Sequence, residues 1–148
     1  RTDPVFAVKP LPDKKLRCEI CAGLGTEYFE DSYSYLAAEL AEDRSSVVGI
    51  IGICQFYMTD ADGDLRGEIV SLVPADGREG DEAMIVMCRA VMNFMWRAGC
   101  RSVILNNNAG PAELLKRCGL IKREEGYFAD LYEFYTSPCH YNKENRDC

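Results

Sequence analysis

The chain has 148 residues, 17 basic against 24 acidic side chains, a net charge of -7 and 47% apolar residues. That length suits one domain burying about two thirds of its unfolded surface. The acid excess, with no stretch where Lys or Arg cluster among aromatics, argues against nucleic acid as a partner, and no apolar run approaches the roughly 18 residues that span a bilayer.

In chain order, Val5 to Val8 alternate weakly, Pro10 and Pro12 break the chain, and Lys14 to Leu24 reads as a short helix ended by Gly25. Glu27, Glu30 and Asp31 then lie among Tyr28, Phe29, Tyr33 and Tyr35, which is either a solvated face or an attractor for a cationic amine. From Ser34 the pattern sharpens: Tyr35 to Leu40, the polar turn Glu42 to Ser46, and Val47 to Tyr57 read as two strands joined by a turn. A second turn, Asp60 to Asp64, leads to a third strand, Leu65 to Val73, which completes an antiparallel meander. The loop Asp76-Gly77-Arg78-Glu79-Gly80-Asp81 precedes a long helix that begins near Asp81 and ends at Gly99. Its polar residues Glu82, Arg89, Asn93 and Arg97 form one narrow stripe, so its other faces can pack on a sheet and on a neighbour, a homodimer partner included. Ser102 to Leu105 reads as a buried strand, Pro111 suits the first turn of a helix over Ala112 to Arg117, and Gly126 to Tyr135 alternates as two short strands. Beyond Pro138 the sequence is polar, a loosely held tail over residues 139–148.

Several constellations tempt a chemical reading. Asp60-Ala61-Asp62-Gly63-Asp64 has alternating carboxylates, but a calcium loop starting there would need Gly where Leu65 stands and Glu where Ser71 stands. Cys18-x-x-Cys21 with Cys139, His140 and Cys148 lacks the second tight pair of a zinc site, so no metal is expected. Cys54, Cys88, Cys100 and Cys118 sit in apolar segments and read as buried free thiols, which makes a reducing cytoplasm the expected compartment. Glu68 is a carboxylate in an apolar strand, where it either faces solvent or is held in a cleft and can take a proton. Tyr127, Tyr132 and Tyr135 are potential proton donors.

The order of the meander, Gly67 to Pro74, the loop, the long helix, Ser102 to Leu105, Asn106-Asn107-Asn108 and Ala112 to Leu120 resembles the GNAT superfamily of acyl-CoA-dependent N-acyltransferases over roughly Tyr35 to Tyr135. The resemblance implies a single GNAT-like α/β domain over residues 1–148, with a mixed, mostly antiparallel sheet of about six or seven strands and helices on both faces. In that family the fourth strand splays from the fifth, its backbone pairs with the pantetheine arm, and the following loop wraps the pyrophosphate. Acetyl-CoA would then lie against Leu72 and Val73, Arg78, Glu79, Gly80, Asp81, Glu82, Ala83 and Asn108. Glu68 stands where the family often has its base. The implied activity is acetyl transfer from acetyl-CoA to a small amine, with a backbone N–H near Val73 polarising the thioester and Tyr127 helping the thiolate leave.

The chain also departs from that family. The family loop reads Gln/Arg-x-x-Gly-x-Gly/Ala; with Gly80 as its fourth member, Gly77 stands first and Glu82 last. A Tyr that usually serves as general acid falls on Leu115, and the Gly-Phe pair after it is Gly119-Leu120. These departures point to an alternative, a catalytically inactive GNAT-like module that binds a ligand or another protein.

Overall fold

A computed structural model describes residues 5–137; residues 1–4 and 138–148, with the tail and Cys139, His140 and Cys148, lie outside the described residues. The elements follow one another as β1 (Val5–Pro10), α1 (Lys14–Leu24), β2 (Tyr33–Leu40), β3 (Val47–Ala61), β4 (Asp64–Pro74), α2 (Glu82–Ala98), β5 (Cys100–Asn106), α3 (Ala112–Arg117), β6 (Ile121–Arg123), β7 (Gly126–Asp130) and α4 (Leu131–Thr136). Seven strands form one sheet in the order β1-β2-β3-β4-β5-β7-β6. Only the β4–β5 pairing is parallel, as the crossover through α2 requires. The mixed sheet with helices on both faces agrees with the sequence-based expectation.

Each face has its own core. Met84, Met87, Val91, Met92 and Met95 of α2 pack with Phe56, Ile69, Leu72 and Leu115 on one side, while Ile20 and Cys21 of α1 pack with Leu36, Ala38 and Ile53 on the other. The all-round apolar helix is consumed by this burial: of its large apolar side chains only Val86 is exposed. Two glycines let α2 lie close to the sheet, since a Cβ at Gly52 would come within 2.3 Å of Met84 Sδ and one at Gly67 within 2.3 Å of Met95 Sδ.

Two local expectations are corrected. The tip of the β3–β4 hairpin is tighter than Asp60 to Asp64, because Ala61 pairs with Asp64 and only Asp62 and Gly63 form the turn, both at positive φ. The segment after Asp130 is a helix rather than a second strand: Asp130 Oδ1 accepts from the Glu133 amide at 3.0 Å, an N-cap that outweighs the alternation of Leu131 to Tyr135. Asp130→Ala should therefore cost about 1 kcal/mol, read as a lower midpoint in thermal unfolding, and an unchanged midpoint would mean that α4 is held by its packing alone. The extra strand in this region is β6, before the turn that leads into β7.

Among the described residues no helix is long and apolar enough to cross a membrane, and no group of three or more His, Cys, Asp or Glu side chains could hold a metal ion. The six cysteines in this range are free thiols.

Candidate functional site

The site starts from a fault in the sheet. Opposite β3, the register of β4 slips by one residue at Val70, since Phe56 pairs with Ile69 and Gln55 with Ser71. Such a bulge bends the strand and raises its local twist. The parallel ladder with β5 ends at the same place, its last pair being Ile69 with Leu105. Beyond it β4 and β5 part, and the loop after β5 comes back to meet β4. The Leu72 amide donates to the Ala109 carbonyl at 2.7 Å. Gly110 lies so close that a Cβ there would be 2.6 Å from Leu72 O.

Paired residues of neighbouring strands share a face. Tyr57, Glu68, Ile104 and Phe128 thus form one row on the face away from α2, with Arg66 and Ser102 in the next row. Glu68, Arg66, Ser102, Ile104, Arg123 and Phe128 surround a cavity of about 390 Å³. Among the described residues neither Glu68 nor Arg66 has a side-chain hydrogen bond or ion pair, and the buried Nε of Arg66 is without a partner. Arg123 lies over the Phe128 ring at 4.0 Å from its centroid.

Tyr127 pairs with Leu105 and belongs to the α2-side core, 4% exposed, with the Lys122 ammonium 5.1 Å from its ring centroid. By register Glu68 and Tyr127 stand on opposite faces of the sheet, yet both line the cavity between β4, β5 and β7. The acidic and aromatic run is likewise divided. Tyr33 and Tyr35 pack on Phe94 of α2, whereas Tyr28 packs on the α1-side core and Phe29 meets Tyr57 edge-on at 6.5 Å. Residues 26–32 are stitched to the Glu68 face by the fully buried Gln55, whose Oε1 accepts from Phe29 N at 3.0 Å and whose Nε2 donates to Glu27 O at 2.8 Å. Thr26 and Ser71 hydroxyls add a bond of 2.9 Å. Arg17, 3% exposed, donates to the Ser32 and Glu30 carbonyls from below. Sequence reasoning missed Gln55, Arg17, Arg66 and Arg123. The signal for Arg66 was its spacing of two from Glu68, which puts both on one face of a strand.

Several contacts of this chain stand at the residues that the resemblance assigns to acetyl-CoA. The Leu72 amide, on the edge where a pantetheine arm would pair, is already bonded to the chain's own Ala109. Val73 is paired with Ile53 on the far side of that strand. In the loop, Gly77 takes φ 80° and the Arg78 amide closes a turn on Ala75 O at 2.9 Å. The Arg78 guanidinium is then held by Glu39 and, at 3.0 Å, by Asp81 Oδ2. This raises the Arg78 pKa further, through its hydrogen bonds to Glu39 and then to Asp81. Because Asp81 is turned to Arg78, it makes no cap bond to α2. Gly80 and Ala83 carry no charge, and Glu82 has only a distant contact with Arg117, at 3.9 Å. Asp76, Glu79 and Glu82 would thus face a pyrophosphate with Arg78 already neutralised. Like charges a few ångströms apart cost on the order of 1 kcal/mol or more each. Asn108 is exposed, its amide bonded to Asn106 Oδ1 at 2.9 Å. Leu115 is a fully buried core residue.

No family model matches the sequence, and no curated protein matches it significantly. Solved structures do match. A chain of the NatC complex bound to Gag peptide and CoA superposes with a TM-score of 0.62 at 17% identity, over 83% of this chain and 94% of that one. A Trypanosoma brucei acetyltransferase gives 0.61 at 14% identity, over 82% and 96%. A variant of the Vibrio cholerae spermidine N-acetyltransferase SpeG gives 0.61 at 9% identity, over 88% and 96%. At these identities the likeness concerns the fold, and the fold of this chain is that of the GNAT acetyltransferases.

Proposed function

We propose that this chain is a small-amine-binding protein built on the acetyltransferase fold, which holds the amine at Glu68 without admitting acetyl-CoA beside β4. The observation that carries this reading is the bond from the Leu72 amide to Ala109 O, which occupies the strand edge that the cofactor would need. The clamped Arg78 and the acids around it support it. An unpaired carboxylate lining a cavity of a few hundred cubic ångströms is a fit receptor for an ammonium group. Free thiols suit a reducing compartment such as the cytoplasm.

A second reading, acetyl transfer from acetyl-CoA to a small amine, is favoured by one observation: Glu68 stands on the last stretch of β4 still paired with β5, next to where the two strands part. There it would take a proton from the acceptor ammonium, directly or through water.

Calorimetric titration of acetyl-CoA into the metal-free protein separates the two. No binding up to millimolar concentration is expected. A Gly110→Ala variant, whose new Cβ meets Leu72 O at 2.6 Å and Leu72 Cβ at 3.2 Å, should push the loop off β4 and speed hydrogen exchange of the Leu72 amide at least tenfold. Micromolar binding by the unmodified chain would overturn the proposal in favour of acetyl transfer, and an amine screen would follow.

A further inference from the structure

The cavity at Glu68 is built from charges of both signs that do not neutralise one another. Arg66 and Glu68 stand two residues apart on β4, half-buried, and Arg123 and Glu125 stand at the rim. Arg78 pairs with Glu39 and Asp81, and Arg117 with Glu82, and none of Arg66, Glu68, Arg123 and Glu125 has an ion-pair partner among the described residues. Burial of an unpartnered guanidinium nitrogen is costly. The Nε of Arg66 is in that position. Such a group is satisfied by an anionic oxygen, and a guanidinium fork suits a carboxylate in particular. No carboxylate among the described residues is bonded to it.

We infer that the ligand is a zwitterion carrying an amine and a carboxylate, an amino acid in chemical class, its ammonium on Glu68 and its carboxylate on Arg66, with Arg123 as the second cation. This rests on the amine-binding reading above and sharpens it. The charges balance: two cations and two anions line the cavity, which matches a ligand of no net charge better than a simple amine or a simple acid. Ile104 and Phe128 supply an apolar wall for a side chain. The volume of about 390 Å³ admits a single amino acid. Backbone carbonyls of a longer peptide would leave Arg66 facing a neutral acceptor, a weaker partner than a carboxylate.

The test is direct binding to the full chain with no acyl donor present. Glycine, alanine, leucine, phenylalanine, lysine and glutamate are titrated beside their decarboxylated amines and their deaminated acids. At least one amino acid should bind at least tenfold more tightly than both of its truncated counterparts. Arg66→Met should weaken that amino acid at least tenfold while leaving the affinity of the matching amine unchanged. Glu68→Gln should do the reverse, weakening amines and sparing acids. Thermal unfolding of each variant checks the fold, and Arg123→Met, on the exposed rim, serves if Arg66→Met melts early. Amines that bind as well as amino acids would overturn the zwitterion and leave the amine-binding reading standing. Binding by none of these compounds would overturn both.

Discussion

Gly126→Ala is expected to be among the most damaging single substitutions in this chain, costing about 3 kcal/mol or more from backbone strain and overpacking together. Gly126 sits at φ 152°, where side chains are rarely accommodated, and its missing Cβ would fall 2.1 Å from Leu105 O and 3.0 Å from Asn106 Cα. Both obstacles are backbone, so neither can swing aside. The residue opens β7 and also lines the Glu68 cavity. In thermal unfolding the midpoint should fall by roughly 6–12 °C. Gly23→Ala is the natural control, because it lies in α1 with nothing within 4 Å of the added atom. It should stabilise by up to about 1 kcal/mol through helix propensity. Equal midpoints for Gly126→Ala and the unmodified chain would mean that β7 does not approach Leu105 this closely.

Gln55→Leu is the second large effect, and it links stability to the site. The side chain is fully buried and satisfies Phe29 N and Glu27 O at once. Leucine fills similar space but leaves both backbone groups without partners, at about 1–3 kcal/mol each if they stay buried. The chain can relieve that cost by letting residues 26–32 lift from the sheet and find water. The expected result is a loss of about 2–4 kcal/mol, with hydrogen exchange accelerated in residues 26–32 well beyond the strands. Global destabilisation without any preferential opening of that loop would show that Gln55 does not pin it.

The apolar periodicity that marks α2 and the meander was legible because long, strongly patterned segments leave little choice of partner face. Gly25 and Gly99 close α1 and α2 in left-handed conformation, as their placement after the last periodic residue implied. Leu131 to Tyr135 misled because its alternation is equally compatible with one turn of amphipathic helix, and the deciding contact is the cap from Asp130. The site was partly legible: Glu68 stood out as a carboxylate in an apolar strand. Its face relative to Tyr127 was not, since that depends on the registers of β4 with β5 and of β5 with β7, which align Glu68 with Ile104 and Phe128, and Tyr127 with Leu105. Arg78 looked available for an anion in sequence. Only tertiary structure brings Glu39, from β2, to take it.

The parallel pairing of β4 with β5 has a consequence for the order in which the protein is made. Strands β1 to β4 are sequential antiparallel neighbours, complete once Pro74 has emerged. Their α2-side residues, among them Ile51, Phe56, Ile69 and Leu72, have no cover until α2 has been synthesised to Ala98. At translation rates of about 5–20 residues per second that interval lasts on the order of a few seconds. During it the nascent chain presents a broad, naked apolar sheet to the crowded surroundings of the ribosome, and a stall within α2 would release a fragment primed to aggregate.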